Sequence, residues 1–200
     1  MSALDQPEIL DLRRSIVIAG HEGNVDVVVE ALGHDHASIR EAALGAMVRM
    51  GQLTTELLTS HVADPDPRVR TRVAELGADF RDFDEIPLLQ DPDPLVVEMA
   101  AWACGEHEDP RAEVIAELAR LTTAHDDALV REAAVAALGA IGNDNGLPAI
   151  LHACNDKPAI RRRAVLALAP FDTPEVEAAL KLALEDRDWQ VRQAAEDLLG

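Results

Sequence analysis

Tyrosine is absent from the 200 residues, and the remaining aromatics are three Phe and two Trp. Hydrophobic residues still make up 48% of the chain, so any core must be aliphatic, built from Ala, Leu, Val and Ile. That share also excludes a disordered acidic polymer, which is poor in such residues. Two cysteines are too few for a disulfide framework or a Cys-based zinc site. Basic residues are scarce as well: 18 Lys+Arg face 37 Asp+Glu, for a net charge of −19. Nucleic acid and anionic membranes attract proteins through basic surface, so neither is an expected partner. No apolar run approaches the ~20 residues of a membrane-spanning helix. The first residues carry Asp5, Glu8 and Asp11 and lack the basic start and apolar stretch of a signal peptide. A cytoplasmic protein is the expectation.

What the chain does have is self-similarity. Asp64-Pro-Asp-Pro-Arg-Val-Arg70 recurs as Asp91-Pro-Asp-Pro-Leu-Val-Val97. Looser copies begin at His34, His125, Asn155 and Asp186 and end at Arg40, Arg131, Arg161 and Arg192. Behind each frame runs a helical pattern, as in Val130, Ala134, Ala137 and Leu138, which share one face of a helix. A shorter apolar segment precedes each frame. The unit reads helix, tight Asp/Pro turn, helix, Gly-containing loop. Asp66, Asp93, Asp127 and Asp188 stand where a carboxylate caps free N–H groups. Pro67, Pro94 and Pro158 fall in the first helical turn, where a missing N–H costs nothing. Gly105, Gly139 and Gly142 fall where a helix ends and a left-handed residue is often needed.

One such pair cannot bury its apolar face alone, whereas stacked pairs can. The expected fold is an all-α, right-handed α-solenoid of about six helix pairs, one domain over residues 1–200. A degenerate N-terminal half-repeat covers 9–23, and repeats follow at 24–53, 54–82, 83–108, 109–145, 146–172 and 173–200. Glu196 and Asp197 make the last pair more polar, as suits a terminal cap.

The pattern Asp-Pro-Asp-Pro-x-Val-Arg followed by Ala-x-x-Ala-Leu-Gly resembles HEAT repeats, specifically the short phycobilisome-lyase-like type, over roughly residues 9–200. The resemblance implies a solenoid whose concave face is used for binding. Its relatives include protein-binding scaffolds, chromophore lyases, iron-dependent hydroxylases and DNA glycosylases of related architecture, so it leaves the activity open. Arg over Lys, with abundant Ala, is the bias of a GC-rich bacterial genome.

The recurring residues divide into structural and binding candidates. Arg70, Arg131, Arg161 and Arg192 sit one turn into a second helix, within reach of the turn Asp of their own or the adjacent repeat. With Asp66, Asp93, Asp127 and Asp188 they form an expected Asp/Arg ladder of charge-assisted hydrogen bonds, broken where Val97 replaces Arg. Exposed second-helix positions supply the candidate partner-binding face: Glu41, Glu75, Glu98, Trp102, Glu132 and Arg162. Trp102 stands where other repeats carry Gly45, Glu75, Ala136, Leu166 and Asp197. It is either a binding anchor or a filler for the space left by a first helix that Pro87 shortens. Trp189 is expected to cover the C-terminal end. Residues 1–156 carry 11 basic and 29 acidic groups, and 157–200 carry 7 and 8. The face should therefore run from acidic to basic, and a partner of opposite polarity would be oriented by it.

Chemistry is hard to find. His34 and His36 lie three repeats from His125, too far to share an ion. His21-Glu22 and His107-Glu108 fall in expected loops, unlike the His-Glu pairs in the repeat helices of iron hydroxylases. Cys104 aligns with core positions, and Cys154 ends a first helix with no His beside it. No cofactor and no metal are expected. The reading is a non-catalytic scaffold or adaptor, monomeric, for a protein or peptide partner, with a basic one favoured by the acidic charge. The alternative is a HEAT-like enzyme of the chromophore-lyase or base-excision type with a pocket near Trp102.

Overall fold

A computed structural model describes residues 6–107 and 110–200. The chain divides into two compact units, Met1–Asp84 and Glu85–Gly200, each considered by itself. Among the described residues there is no strand, and the architecture is that of an α-solenoid.

The first unit opens with α1 (Gln6–Glu22) and continues with two helix pairs. These are α2 (Val25–Leu32) with α3 (Ala37–Arg49), and α4 (Thr55–Thr59) with α5 (Pro67–Gly77). Helix α3 packs against α1, α2 and α5. Its Ile39, Ala42, Ala43, Ala46 and Met47 meet Ile9, Ile16 and Ala19 of α1 and Val28 and Ala31 of α2. Phe83 closes the end of this unit, buried with its ring against Gly77, where a Cβ would come within 2.5 Å of it.

Four pairs make the second unit: α6 (Ile86–Leu89) with α7 (Pro94–Gly105), α8 (Ala112–Ala124) with α9 (Ala128–Ile141), α10 (Leu147–Ala153) with α11 (Pro158–Ala167), and α12 (Pro174–Ala183) with α13 (Trp189–Leu199). A short 3₁₀ turn, Asp144–Gly146, leads into α10. Second helices α7, α9, α11 and α13 stack in that order, while α6, α8 and α10 form the other layer. Pro87 leaves α6 only four residues long.

An Ala-rich core lets the second helices approach closely. A Cβ on Gly139 of α9 would lie 2.6 Å from the Cα of Ala167 on α11, so only glycine permits this contact. Gly139 therefore serves helix packing rather than a helix end, and Gly105, the last residue of α7, also sits close to the next second helix, where a Cβ would stand 3.2 Å from the Cα of Ala137. Of the three glycines expected at left-handed positions, only Gly142 has a positive φ, at 65°.

Candidate functional site

The turns show what fixes the repeat. Asp66, Asp93, Asp127 and Asp188 each cap a second helix, accepting from the N–H two residues on. The expected ladder gave these four the arginine partners. The guanidinium contacts described go instead to a different Asp of the turn: Asp64, Asp156 and Asp186. Arg40 donates to Asp64 at 2.7 and 2.6 Å, Arg131 to Asp156 at 2.7 and 3.1 Å, and Arg161 to Asp186 at 2.8 and 2.7 Å. Each is a two-pronged fork reaching from one repeat to the next. A cap carboxylate is already turned toward its own helix, so the acceptor must stand earlier in the turn. Asp66 pairs with Arg68 of its own helix, which holds its carboxyl down at about 2.

Every frame arginine also clips its own turn. Arg40 donates to the His34 and Asp35 carbonyls, Arg70 to that of Asp64, and Arg131 to those of His125 and Asp126. Arg161 reaches the Asp156 carbonyl and Arg192 that of Asp186. Asp64, Asp91 and Asp186 additionally accept the backbone N–H of the cap residue. In two frames a histidine takes the place of that carboxylate. The ring Nδ1 of His34 accepts from His36 N–H at 2.9 Å, and that of His125 from Asp127 N–H at 3.1 Å. These histidines are turn formers.

The binding candidates fall into both units. In the first, Glu41 and Glu75 are half-buried; Glu41 lies 3.9 Å from Arg13, and Glu75 pairs with Arg72 at 2.5 Å. The second unit brings the others onto one layer. Glu98 and Trp102 lie on α7, Glu132 on α9 and Arg162 on α11. Trp102 is 47% exposed, so it does not fill the core beneath the short α6. Leu95, one turn before Glu98, is 64% exposed, and Leu129, at the equivalent place on α9, is 56% exposed. Spacing of three and four residues puts Leu95, Glu98 and Trp102 on one helix face. Composition alone did not single out the two leucines, although their register with Trp102 was visible in the sequence. Trp189, expected to cover the chain end, is 64% exposed on α13. Both tryptophans of the chain are thus turned toward solvent on second helices of this unit.

Three cavities occupy the last two repeats, and Trp102 lines none of these three. One, about 220 Å³, lies between α11 and α13 and is lined by Arg162 and Trp189.

Other reactive groups are held in structural positions. His21 and Glu22 end α1 rather than occupying a loop. His107 follows α7 with its Nε2 2.9 Å from Oε1 of the buried Glu85, while Glu108 lies outside the described residues. Burial pushes the Cys104 thiol far up and that of Cys154 up to about 11, the opposite of nucleophile activation. Among the described residues no three His, Cys, Asp or Glu side chains gather in a way that could hold a metal ion. None of the described helices is long and apolar enough to cross a membrane.

Residues 86–166 match the model of the HEAT repeats family. No curated protein matches the chain. Among solved structures, an engineered protein is 20% identical with a TM-score of 0.63, over 88% of this chain and 96% of its own. A designed armadillo repeat protein in complex with the peptide (KR)4 is 16% identical with a TM-score of 0.63, over 88% and 97%. Human deoxyhypusine hydroxylase in complex with glycerol is 19% identical with a TM-score of 0.50, over 98% and 80%. At these identities the likeness is one of fold. A HEAT- or armadillo-like helical repeat is the class that this fold defines.

Proposed function

We propose that the chain is a non-catalytic scaffold or adaptor that binds a protein or peptide segment across the second helices of its C-terminal unit. One observation carries the reading: Trp102, Leu95, Leu129 and Trp189 are all more than 45% exposed on that layer, although the chain is poor in aromatics and buries most of its aliphatic side chains. Large apolar side chains rimmed by charge, held on rigid helices, are the ordinary form of a binding hot spot. The mechanism is static complementarity. Trp102 and the leucines supply apolar anchoring, while Glu98, more than Glu132 with Arg163 at 3.7 Å, favours a basic residue on the segment that crosses α7 and α9. That a designed armadillo repeat protein of similar fold is in complex with the basic peptide (KR)4 supports a peptide partner of that charge. A monomer that binds neither nucleic acid nor membrane fits the acidic charge. The short phycobilisome-lyase-like subtype and a bacterial, cytoplasmic setting are part of the same proposal.

The test is selection of random dodecamer peptides on the full chain, followed by titration of the survivors against Trp102→Ala with Glu98→Arg. Loss of an aromatic hot spot should weaken binding about thirtyfold, with the melting temperature unchanged because both side chains stand outside the core. Equal binding by the folded double variant would remove this face from consideration.

The catalytic alternative, a HEAT-like enzyme of the chromophore-lyase or base-excision type with a pocket near Trp102, is supported by the fold likeness to deoxyhypusine hydroxylase alone, since Trp102 lines none of the three cavities. A tetrapyrrole chromophore or a modified nucleobase that raises the melting temperature of the wild type and not of Trp102→Ala would support it.

A further inference from the structure

We propose that the cavity between α11 and α13 receives a carboxylate side chain of the bound segment, held by Arg162. The inference rests on the peptide-binding reading and adds a partner chemistry that reading leaves open. Three consecutive arginines of α11 have three different surroundings. Arg161 is buried on Asp186, and Arg163 faces Glu132 at 3.7 Å. Arg162 is exposed, and among the described residues no carboxylate pairs with it. In a chain with 37 acidic and 18 basic residues, its guanidinium is left available in a cavity of about 220 Å³.

The other walls suit a small anion on an aliphatic stem. Leu166 and the exposed Trp189 provide apolar surface for methylenes, and the Gln190 and Gln193 side chains carry amide donors. Asp197 also lines the cavity, and the Gln193 Nε2 donates to it at 2.8 Å. Arg162 and Asp197 together leave the cavity without net charge, so an anion is held by direct contact with the guanidinium and a single added charge is tolerated best. A phosphate of charge near −2 would meet Asp197 with stronger repulsion. Arg also suits the planar carboxylate, which it can bind with two parallel hydrogen bonds.

Geometry fixes the spacing of charges on the partner. Stacked helices stand about 8–10 Å apart, so the acidic Glu98 on α7 lies two helix spacings, roughly 20 Å, from Arg162 on α11. An extended chain covers about 3.3 Å per residue. A basic residue over Glu98 and an acidic one over Arg162 are therefore about six residues apart, and this separation sets the direction in which the segment lies.

Peptides selected on the full chain test this directly. The expected survivors carry Asp or Glu about six residues from a basic residue. Changing that acid to its amide weakens binding to the wild type about tenfold, and Arg162→Gln binds the acid and amide forms alike. Arg162 is solvent-exposed, so an unchanged melting curve controls for folding. Survivors lacking the acid, or an acid preference that persists in Arg162→Gln, overturn the assignment. Tighter binding when phosphoserine replaces the acid overturns the choice of a carboxylate. Survivors lost in the Trp102/Glu98 double variant but indifferent to acid would leave the binding face standing and sink the carboxylate site alone. An empty selection would sink both.

Discussion

Replacing Arg40 with alanine tests whether the inter-repeat forks hold the repeats in place. Arg40 Nε and Nη2 donate to both Asp64 oxygens, and Nη1 donates to the carbonyls of His34 and Asp35. The side chains are only 10% and 5% exposed. Burial pushes the Asp64 carboxyl up, and the Arg40 guanidinium with the Asp66 N–H more than reverses this, leaving it below the ordinary range. Without Arg40 the carboxylate keeps the Asp66 N–H but loses its counter-charge. Breaking a buried pair in this way costs about 3–5 kcal/mol. Arg68→Ala breaks a pair whose arginine is 62% exposed, and exposed pairs are worth only about 0–1 kcal/mol. Urea titrations followed by circular dichroism should separate the two variants by at least about 2 kcal/mol, or a melting difference of roughly 4–8 °C for a chain of this size. If the orphaned charge is the cause, Arg40→Met with Asp64→Leu recovers most of the loss. The pH dependence follows from the sign. A depressed Asp64 value contributes stability that is fully present above the unfolded carboxylate value, about 3.9, and lost as pH falls through the folded value. In Arg40→Ala only burial remains large, so protonation relieves the variant earlier, and its deficit narrows as pH falls toward about 4. A deficit equal to that of Arg68→Ala, or a double variant no better than Arg40→Ala, would refute the argument.

Gly139→Ala should cost about 1–3 kcal/mol in thermal melts, because its Cβ would enter the backbone of Ala167 and force α9 from α11. Gly45→Ala, whose Cβ would meet the movable Arg72 guanidinium at 3.5 Å, should be neutral or stabilising by up to about 1 kcal/mol. In the native protein at about pH 8, Cys154 should react with iodoacetamide on the order of a hundredfold more slowly than an ordinary thiol, and Cys104 only on unfolding; fast labelling of Cys104 would contradict its burial. Val97→Arg with His125→Asp should install the missing fork. Each single change should destabilise, by burying a charge or by adding an acid beside Asp126 and Asp127, and the pair should couple favourably by about 1–3 kcal/mol. Additive costs in that cycle would show that the α7-to-α9 spacing cannot host the contact.

The forks also show how far the sequence could be read. Helix pairs, caps and N1 prolines were legible because each depends on residues a few positions apart. Asp66 and Pro67 declare a helix start wherever they occur. Choosing the fork acceptor required more, since Asp64 and Asp66 are both turn carboxylates and only the direction of the cap excludes Asp66. Gly139 misled for a related reason. It lies near a helix end in the sequence, yet what it answers to is the neighbouring helix, at Ala167. Trp102 could be seen as the odd residue at its register, but whether it filled the space under α6 or faced outward depended on how far Pro87 shortened that helix. Local spacing cannot report that distance.

The same turns explain why histidine stands where it does. Where position one of the frame accepts the cap residue's N–H, Asp or an Nδ1-accepting His does this. Only Asp can also receive a guanidinium fork from the preceding repeat. His125 occurs where the preceding frame ends in the buried Val97 instead of arginine. In the Asn155 frame both roles move one residue later: Asp156 receives the fork from Arg131 and accepts the Lys157 N–H. His125 is therefore read more economically as the mark of a missing arginine than as half of a metal site.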